Sequence, residues 1–439
     1  MAVPNVKQIR RPQYVFSDDG ESTHVDKLRG LMRYAPLKPS LVLEPNYLFV
    51  FAEEDKDYAN RLYTTLKKGI GSFPGSEQFV GLPISTGKLE AMRLPNSVYR
   101  MGHEKQLFDA ICDQVERLSR VPDFAYIIGD NRWKYQRPTP YGAIKAGLLK
   151  NNIQSQMVTK QLMDADSQFR YAIPNVALSV LAKLGGVPWL VKRSQEPPAL
   201  VIGVGTTVIT DSHGRGKQRL LGYAICMMSN GLFLDLDFYG SATSQQEFLP
   251  NLVSGLTATL DRLQQTSSKI SRVSLHVSHF ERRETISAIS SVIDSRKTKH
   301  PTPFEVLRLT HDSPFMVMDL SDIGYVAEEG TVVQLSRQHA LLVMEGRIEK
   351  APWKGRKPVT LEVHREYASN PSMPLDDSLH DLFYLGFVNW RGFGTKTKPA
   401  TLAYAKLLSD RMADITAVAP EVADSLQSHG SSGSRLWFL

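Results

Sequence analysis

Cysteine and long apolar runs are scarce in this sequence. Only two of the 439 residues are cysteines, Cys112 and Cys226, which excludes a disulfide framework and fits a reducing, cytoplasmic location. No stretch reaches the roughly 18 consecutive apolar residues that a membrane span needs. The first residues, MAVPNVKQIRRPQ, lack the apolar region of a signal peptide. We therefore expect a cytoplasmic protein with no membrane partner.

The glycine-rich signatures of nucleotide-binding enzymes are incomplete. The loop GIGSFPG at 69–75 is not followed by Lys-Ser or Lys-Thr, so it fails as a P-loop. Gly203-Val204-Gly205 lacks the third glycine of a dinucleotide fingerprint, which makes it a poor nicotinamide site. A Rossmann-like enzyme acting on a small nucleotide stays open as an alternative, without a motif to support it.

The composition is that of an ordinary globular protein, with 42% hydrophobic and 22% charged residues. The length allows two or three domains. The net charge of +7 at pH 7 permits nucleic-acid binding but does not require it.

The order of predicted elements indicates an α/β protein with two different sheets. Apolar strands at 47–51 and 124–128 alternate with helices at 57–68 and 104–118, which predicts a parallel sheet with Rossmann-like layering. The charged, proline-rich segment 191–198 is typical of a linker. The elements predicted after it are strands at 199–210, 220–228 and 231–238, a helix at 245–264, a strand at 272–277 and a helix at 281–295.

The stretch 139–189 carries the most informative spacing. Thr139 is a suitable N-cap and Pro140 a suitable first residue for a helix whose free N–H groups face the preceding chain. Tyr141 and Lys145 are four residues apart and share a face of that helix. A short alternating strand at 155–158 follows, and then a second predicted helix. This second helix begins near Pro174, ends at Gly185-Gly186 and has Lys183 in its last turn, while Gln156 lies on the strand.

These side chains suit a terminal phosphate and its base. The ring of Tyr141 can stack on a base, while Lys145, Lys183 and the amide of Gln156 can hold a phosphate near the helix N-terminus. Each residue also has a simpler interpretation: Tyr141 can cover the core, Lys183 can satisfy a helix C-terminus, and Gln156 can lie on the surface.

The sequence pattern of this stretch resembles the MID domain of Argonaute proteins and its junction with the PIWI domain. The pattern is Y-x3-K, a glutamine eleven residues later, and N-x-A-L-x3-A-K-L-G-G-x-P-W. Further matching segments are LHVS at 275–278, HDSPF at 311–315, EEGTVVQLS at 328–336, NWRGFGTKTKPATLAYAKLL at 389–408 and the final WFL. The chain is similar to the short prokaryotic Argonautes over most of its length.

The resemblance implies a domain order and a ligand site. It implies an N-terminal segment at 1–40, a MID domain at 41–190 and an RNase H-like PIWI domain at 191–439. It also implies that Tyr141, Lys145, Gln156 and Lys183 bind the 5′-phosphate and first base of a guide strand. The carboxylate of Leu439, with Gln156, would then bind a structural Mg²⁺ at that phosphate.

The same resemblance predicts an empty catalytic centre. Hydrolysis of the RNase H type needs two metal ions held by carboxylates. In this sequence, the three positions at which the family carries these metal-binding residues fall on Gly205, on Ser278 and near Lys406. Asp211 comes after the end of the first predicted strand of the PIWI domain. We expect no catalytic residues, although an active guide-directed endonuclease using other carboxylates stays open as an alternative.

Other polar residues give weaker signals. His276, Ser278 and His279 lack the spacing of a zinc site. Arg391 and Lys396, beside Trp390 and Phe393, suit contact with a nucleic-acid backbone, although a solvated loop has the same composition.

The last four residues of the sequence, 436–439, are apolar. Exposed apolar residues at a chain end would fray, so we expect this tail to dock against the protein. A docked end would hold its carboxylate at a fixed point.

The expected function is therefore recognition without cutting. The resemblance implies a small guide, RNA rather than DNA, and a complementary single-stranded DNA target. It further implies a heterodimer with an effector protein carrying an APAZ region, where the effector is the enzyme, an NAD hydrolase or a nuclease. The expected role is defence against plasmids or phage.

Overall fold

The computed structural model describes residues 5–134, 138–193, 197–210, 218–242, 245–266, 270–278, 283–295, 302–311, 313–348, 357–394, 397–428 and 436–439. The strands in these ranges are β1 (Asn5–Gln8), β2 (Tyr14–Val15), β3 (Thr23–His24), β4 (Tyr47–Ala52), β5 (Leu89–Leu94), β6 (Phe124–Gly129), β7 (Gln154–Thr159), β8 (Leu190–Val191), β9 (Leu200–Thr210), β10 (Gln218–Met228), β11 (Phe233–Ala242), β12 (Val273–Ser278), β13 (Phe304–Thr310), β14 (Thr331–Gln334), β15 (His339–Glu345) and β16 (Val359–Ala368). The α-helices are α1 (Lys27–Tyr34), α2 (Lys56–Lys68), α3 (Ser76–Val80), α4 (Glu104–Glu116), α5 (Pro140–Lys150), α6 (Lys160–Asp164), α7 (Asp166–Lys183), α8 (Gln245–Thr266), α9 (Arg283–Asp294), α10 (Leu375–Leu385), α11 (Ala400–Thr416) and α12 (Pro420–Ser428).

A four-stranded parallel sheet forms the first layer, in the order β5-β4-β6-β7. The two central strands, with the sequences YLFVFA and FAYIIG, are buried along their whole length, as expected of parallel strands covered on both faces. This confirms the predicted Rossmann-like layering. The carboxyl end of β7 leads to α6 and α7, and α5 comes between β6 and β7.

A nine-stranded mixed sheet forms the second layer, in the order β1-β14-β15-β16-β13-β12-β9-β10-β11. β9, β10 and β11 form successive hairpins, α8 leads to β12, and α9 leads to β13. β12 is parallel to both β9 and β13. The predicted order of three strands, helix, strand and helix is confirmed, and the mixed α/β fold is consistent with an RNase H-like domain. The turn from Ser229 to Gly231 closes the second hairpin, with Gly231 at φ 99°.

The first residues belong to two sheets, the nine-stranded sheet and a separate three-stranded sheet in the order β3-β2-β8, which their polar sequence did not predict. β1 is the edge strand of the nine-stranded sheet and pairs with β14. β2 pairs with β8, so the chain near the predicted linker is partly in a sheet. Arg193 in that linker is buried and forms an ion pair with Asp381 on α10, and Asp381 also pairs with Arg272. The segment 191–193 therefore packs against the protein.

The second predicted helix of the 139–189 stretch begins earlier than expected. α7 starts at Asp166 and contains Pro174 in its interior. Proline removes one intrahelical hydrogen bond. Phe169 and Ile173, four residues apart in the turns before Pro174, are fully buried. Their burial offsets the loss of this hydrogen bond. The C-terminal end of α7 is as predicted, because Gly185 adopts a positive φ of 82°.

Both cysteines are buried free thiols. Among the described residues no helix has the length and apolar character needed to cross a lipid bilayer.

Candidate nucleic-acid interface

The N-terminus of α5 is built as predicted. The Thr139 hydroxyl accepts a 2.9 Å hydrogen bond from the Gly142 N–H, and Pro140 occupies the first turn. A Cβ atom on Gly142 would lie 2.9 Å from the carbonyl oxygen of Asp414, so glycine allows α5 to approach α11 closely. This contact brings residues of the second half of the chain to the start of α5.

A cavity of about 670 Å³ opens between α5, β7, α7 and α11. Its lining includes Tyr141 and Gln156, two of the four residues predicted to bind the guide end. The last residue, Leu439, also contributes. The remaining wall is supplied by Trp133, Thr139, Met157, Thr159, Leu162, Ala172, Asn175, Val176, Ser179, Arg391, Asp410, Arg411 and Asp414.

Two cationic side chains lie close to the ring of Tyr141. The Lys145 ammonium lies 5.9 Å and the Arg411 guanidinium carbon 4.7 Å from the centroid of its ring. Burial raises the pKa of the Tyr141 hydroxyl, but the positive charges of Lys145, Arg411 and Arg391 lower it below its ordinary value on balance. The lowered pKa indicates a strongly positive environment in this part of the cavity.

Lys145 lies behind the cavity wall. It is 1% exposed, and its Nζ donates a 2.8 Å hydrogen bond to the carbonyl oxygen of Trp437. Burial lowers the pKa of its ammonium. The structure thus places Lys145 beside the chain end and the tyrosine, but not among the lining residues.

Lys183 is also buried, with 0% exposure. Its Nζ donates hydrogen bonds of 2.8 Å to the carbonyl oxygen of Ser155 and 2.7 Å to Oε1 of Gln156. Burial, followed by the charges of Lys145, Arg411 and Arg391, holds the pKa of Lys183 well below its ordinary value. Gln156 therefore connects the second lysine to the cavity, since its side chain contacts both.

The two lysines share one electrostatic property. In the described part of the chain, Lys145 bonds to a carbonyl oxygen and to the Tyr141 hydroxyl, Lys183 bonds to a carbonyl oxygen and an amide oxygen, and neither forms an ion pair with a carboxylate. Arg411 donates to Asp414 at 3.2 Å, and its buried Nε has no hydrogen-bond partner among the described residues. The cavity can therefore accept an anion that supplies negative charge and acceptor oxygens.

The chain end docks as the sequence predicted. Residues 436–439 are all buried, and the Leu439 N–H donates to the Leu436 carbonyl oxygen at 3.1 Å. The ring of Phe438 packs edge-on against Tyr404 of α11. This packing holds Leu439 at the cavity.

The three predicted catalytic positions carry no pair of carboxylates. Gly205 is buried on β9, and a Cβ atom there would lie 2.5 Å from the Tyr223 hydroxyl oxygen. Ser278 ends β12. Lys406 is exposed on α11 and pairs with Asp410 at 3.2 Å. Asp211 lies outside the described residues.

The histidine considered for zinc is part of the core. His276 is 1% exposed, its Nδ1 lies 3.0 Å from the Thr401 hydroxyl, and burial lowers its pKa to about 3. His279 lies outside the described residues. A buried neutral imidazole paired with a threonine has a structural role.

The predicted basic run is divided by the structure. Arg391 is exposed and lines the cavity, whereas Lys396 lies outside the described residues. Trp390 is buried, and the ring of Phe393 stands 5.6 Å from that of Trp189. The aromatic residues therefore pack internally, and Arg391 is the member of the run that reaches the site.

Arg411 was missed by sequence reasoning. It lies on α11 seven residues after the buried Tyr404, a spacing that returns to the same helix face. That spacing could have placed Arg411 toward the interior, but nothing in the sequence alone says that α11 packs on α5.

The chain is similar in sequence to Piwi and Argonaute proteins. Residues 133–344 match the family model of the Piwi domain, from just before α5 to β15. A Piwi protein of Archaeoglobus fulgidus is 25% identical over 364 residues, covering 76% of this chain and 78% of that protein. The Argonaute protein of Cereibacter sphaeroides is 23% identical over 448 residues, covering 94% of this chain.

A solved structure with the same fold is that of Clostridium butyricum Argonaute bound to a guide DNA and a 19-mer target DNA. Its TM-score is 0.71 at 16% identity over 95% of this chain. At this identity the likeness shows the fold alone. The chain spans 54% of that protein and 56% of the C. sphaeroides Argonaute, a little more than half of each.

Proposed function

Since the Piwi domain match and the archaeal and bacterial relatives support a prokaryotic Argonaute, we propose that this chain binds the 5′-phosphorylated end of a small guide strand. We propose RNA as the guide and single-stranded DNA as its complementary target. Base pairing by the guide would supply sequence specificity, while the protein holds the phosphate and the backbone.

The observation that carries the proposal is the group of four basic side chains at the cavity. The buried side chains of Lys145 and Lys183 form no ion pair with a carboxylate among the described residues, and Arg391 and Arg411 line the wall together with Asp410 and Asp414. A terminal phosphate brings negative charge and three acceptor oxygens to this point, near the N-terminus of α5. The ring of Tyr141 offers a surface for the first base.

A divalent ion is the second ligand that we propose at this cavity. Leu439, the last residue of the sequence, and Gln156 line the same cavity. Carboxylate and amide oxygens are ligands that Mg²⁺ prefers. We propose that these two residues would hold Mg²⁺ with the guide phosphate, and that the bound ion would offset the repulsion between phosphate and carboxylate.

Absence of cleavage is the second part of the proposal. An aspartate at position 205 would overlap the Tyr223 ring, since even its Cβ atom has no room. Lys406 would repel a metal ion at the third position. We propose that the chain recognises its target without cutting it.

An exposed apolar segment supports a protein partner. The segment 315–325 has six large side chains facing solvent, among them Leu320 at 82% and Ile323 at 101% exposure; the others are Phe315, Met316, Met318 and Tyr325. Exposed apolar groups clustered in this way mark interaction surfaces. We propose that an APAZ-containing effector binds here as a heterodimer and supplies the enzymatic activity in defence against plasmids or phage.

The guide-binding proposal is tested with two oligonucleotides of one sequence, one with a 5′-phosphate and one with a 5′-hydroxyl. The phosphorylated strand should bind more tightly in a fluorescence anisotropy titration, and affinity should rise with strand length and fall with salt. Equal affinity for both strands, or equal affinity for a mononucleotide, would contradict it.

The proposed absence of cleavage is tested by incubating the protein with guide, target and Mg²⁺ or Mn²⁺. This assay should yield no product; a guide-dependent product would instead favour the endonuclease alternative.

The partner surface is tested by the double variant Leu320→Asp and Ile323→Asp, co-expressed with an APAZ effector. Co-purification should be lost while guide binding stays unchanged. Val121→Asp is the matched control, since Val121 is 75% exposed and lies on the other half of the chain. A complex that survives the double variant rules out this surface.

A further inference from the structure

Two histidines and a glutamate converge on the neighbouring strands β15 and β16. His339 lies directly opposite His364 in the antiparallel register. Glu362 precedes His364 by two residues, so it projects from the same face of the sheet. None of the three lines the cavity at α5. The guide-binding proposal therefore leaves this cluster without a role.

The donor atoms of the cluster point at one another. All three lie within 4.8 Å. Oε1 of Glu362 is 3.0 Å from Nε2 of His339 and 2.9 Å from Nε2 of His364. The two imidazole rings stack, with centroids 3.9 Å apart. Both histidines thus direct the same ring nitrogen at one carboxylate oxygen.

The cluster is sheltered but reachable. The side chains of His339, Glu362 and His364 are 23%, 11% and 31% exposed. Ser313 donates a 3.0 Å hydrogen bond to Oε2 of Glu362, which fixes the carboxylate and leaves Oε1 to the histidines. Three hydrogen bonds therefore hold the Glu362 carboxylate in one orientation.

The arginine opposite His364 in the sheet has a carboxylate partner of its own. Arg308 on β13 is the register partner of His364, and its Nε pairs with Oε1 of Glu366 at 2.6 Å. Oε1 of Glu362 has the two imidazole nitrogens as hydrogen-bond partners. In the described part of the chain, this is the group of His, Cys, Asp and Glu side chains close enough to share a metal ion.

We propose that His339, Glu362 and His364 bind one divalent transition-metal ion of the zinc type. Imidazole nitrogen with carboxylate oxygen suits Zn²⁺, Co²⁺, Ni²⁺ and Fe²⁺, whereas Mg²⁺ and Ca²⁺ prefer oxygen donors alone. Three protein donors leave a position open for water. The ion would bind the lone pair on each Nε2, so each neutral ring would hold its single proton on Nδ1 in the complex.

The ion would connect three segments of the chain. It joins β15 to β16 directly, and through Ser313 it fixes the chain just after β13. Ser313 lies two residues before the exposed segment 315–325. Occupancy should therefore order the base of that segment, which links metal content to the partner surface and not to the guide pocket.

The test is a zinc titration of the full chain after removal of metal by a chelator, in excess Mg²⁺ so that hard-oxygen sites are filled. Calorimetry should detect one Zn²⁺ per chain. Glu362→Gln and His364→Gln should each weaken zinc by more than about 100-fold, beyond the 10–100-fold typical of losing an outer partner, which is the effect expected for Ser313→Ala. Binding of Co²⁺ should give a visible spectrum typical of nitrogen-containing, low-coordinate sites.

His103→Gln is the matched control, because the His103 side chain is partly exposed and bonds to nearby Gln106, away from the cluster. It should leave zinc binding unchanged. Circular dichroism identifies a variant that fails to fold, and Glu362→Gln, which keeps the shape of the side chain, then decides. Zinc binding that is absent in the wild type, or that persists in Glu362→Gln, would overturn the proposal. In either case the phosphate test of guide binding stands separately.

Discussion

The ammonium of Lys145 donates a 2.8 Å hydrogen bond to the carbonyl oxygen of Trp437, 292 positions later in the sequence. The same ammonium lies 5.8 Å from the centroid of the Trp437 ring and 5.9 Å from that of Tyr141. One buried side chain therefore connects α5, the tyrosine of the cavity and the docked chain end. Guide-end binding and tail docking should depend on each other through this residue.

Replacing Lys145 by methionine should weaken 5′-phosphorylated guides roughly 10- to 100-fold, because a charge-assisted hydrogen bond and its charge are lost. The 5′-hydroxyl guide should lose much less. Anisotropy titrations with the two strands measure the difference. Lys150→Met is the control, since Lys150 is exposed at the far end of the same helix. Equal losses for both strands would remove Lys145 from the phosphate site.

Adding one glycine after Leu439 should abolish the Mg²⁺ dependence of guide binding. The extension leaves the buried side chains of residues 436–439 in place but moves the terminal carboxylate away from the cavity. Titrations with and without a chelator measure the dependence. Thermal stability should stay that of the wild type, whereas deletion of residues 437–439 should lower both stability and affinity. Chelator-sensitive binding by the extended chain would contradict the carboxylate ligand.

Much of the fold could be predicted because its signals are local. The buried strands β4 and β6 are continuous apolar runs, and α5 carries its cap and first-turn proline. The pairing of β1 with β14 could not be predicted. β1 reads NVKQ and is exposed throughout, so its place is fixed by backbone hydrogen bonds to residues more than 300 positions away.

The sequence predicted that these residues lie close together, but it did not predict how deeply each one is buried. Tyr141, Gln156 and Leu439 line the cavity, yet spacing could not reveal that Lys145 and Lys183 lie behind them. Burial depends on how α11 and the chain end cover α5. The cluster of His339, Glu362 and His364 could not be predicted for a similar reason, because only the register of β15 and β16 brings His339 to the other two residues.

His276 should make the protein less stable as pH falls below about 6.5. Burial lowers its folded-state pKa from 6.5 to about 3, so the unfolded chain takes up a proton in that window and the folded chain does not. Its contribution to stability is therefore complete above pH 6.5 and lost as pH falls toward 3, with a slope approaching roughly 1.4 kcal/mol per pH unit.

Urea unfolding of the wild type and His276→Asn across this range measures the slope, because asparagine can still hydrogen-bond Thr401 but does not titrate. The difference in unfolding free energy between the two proteins should change with pH below 6.5 and be constant above it. A pH-independent difference for His276→Asn would show that His276 is not held neutral.

Binding of a 5′-phosphate should be accompanied by proton uptake at Lys183. Burial and the charges of Lys145, Arg411 and Arg391 hold its pKa well below the ordinary value of 10.5 in the free protein. A phosphate beside this cluster stabilises the ammonium and raises that pKa. At any pH between the two values the complex holds more protons than the free protein, so affinity should rise as pH falls through that window.

Calorimetry in two buffers with different ionisation enthalpies measures the protons taken up. The observed enthalpy should depend on the buffer for the 5′-phosphorylated guide and not for the 5′-hydroxyl guide. Lys183→Met should remove most of the dependence, and Lys192→Met, outside the cavity, should retain it. The lysine pair would not be the phosphate partner if the two guides gave the same proton uptake, because a strand without the terminal phosphate has no charge to place there.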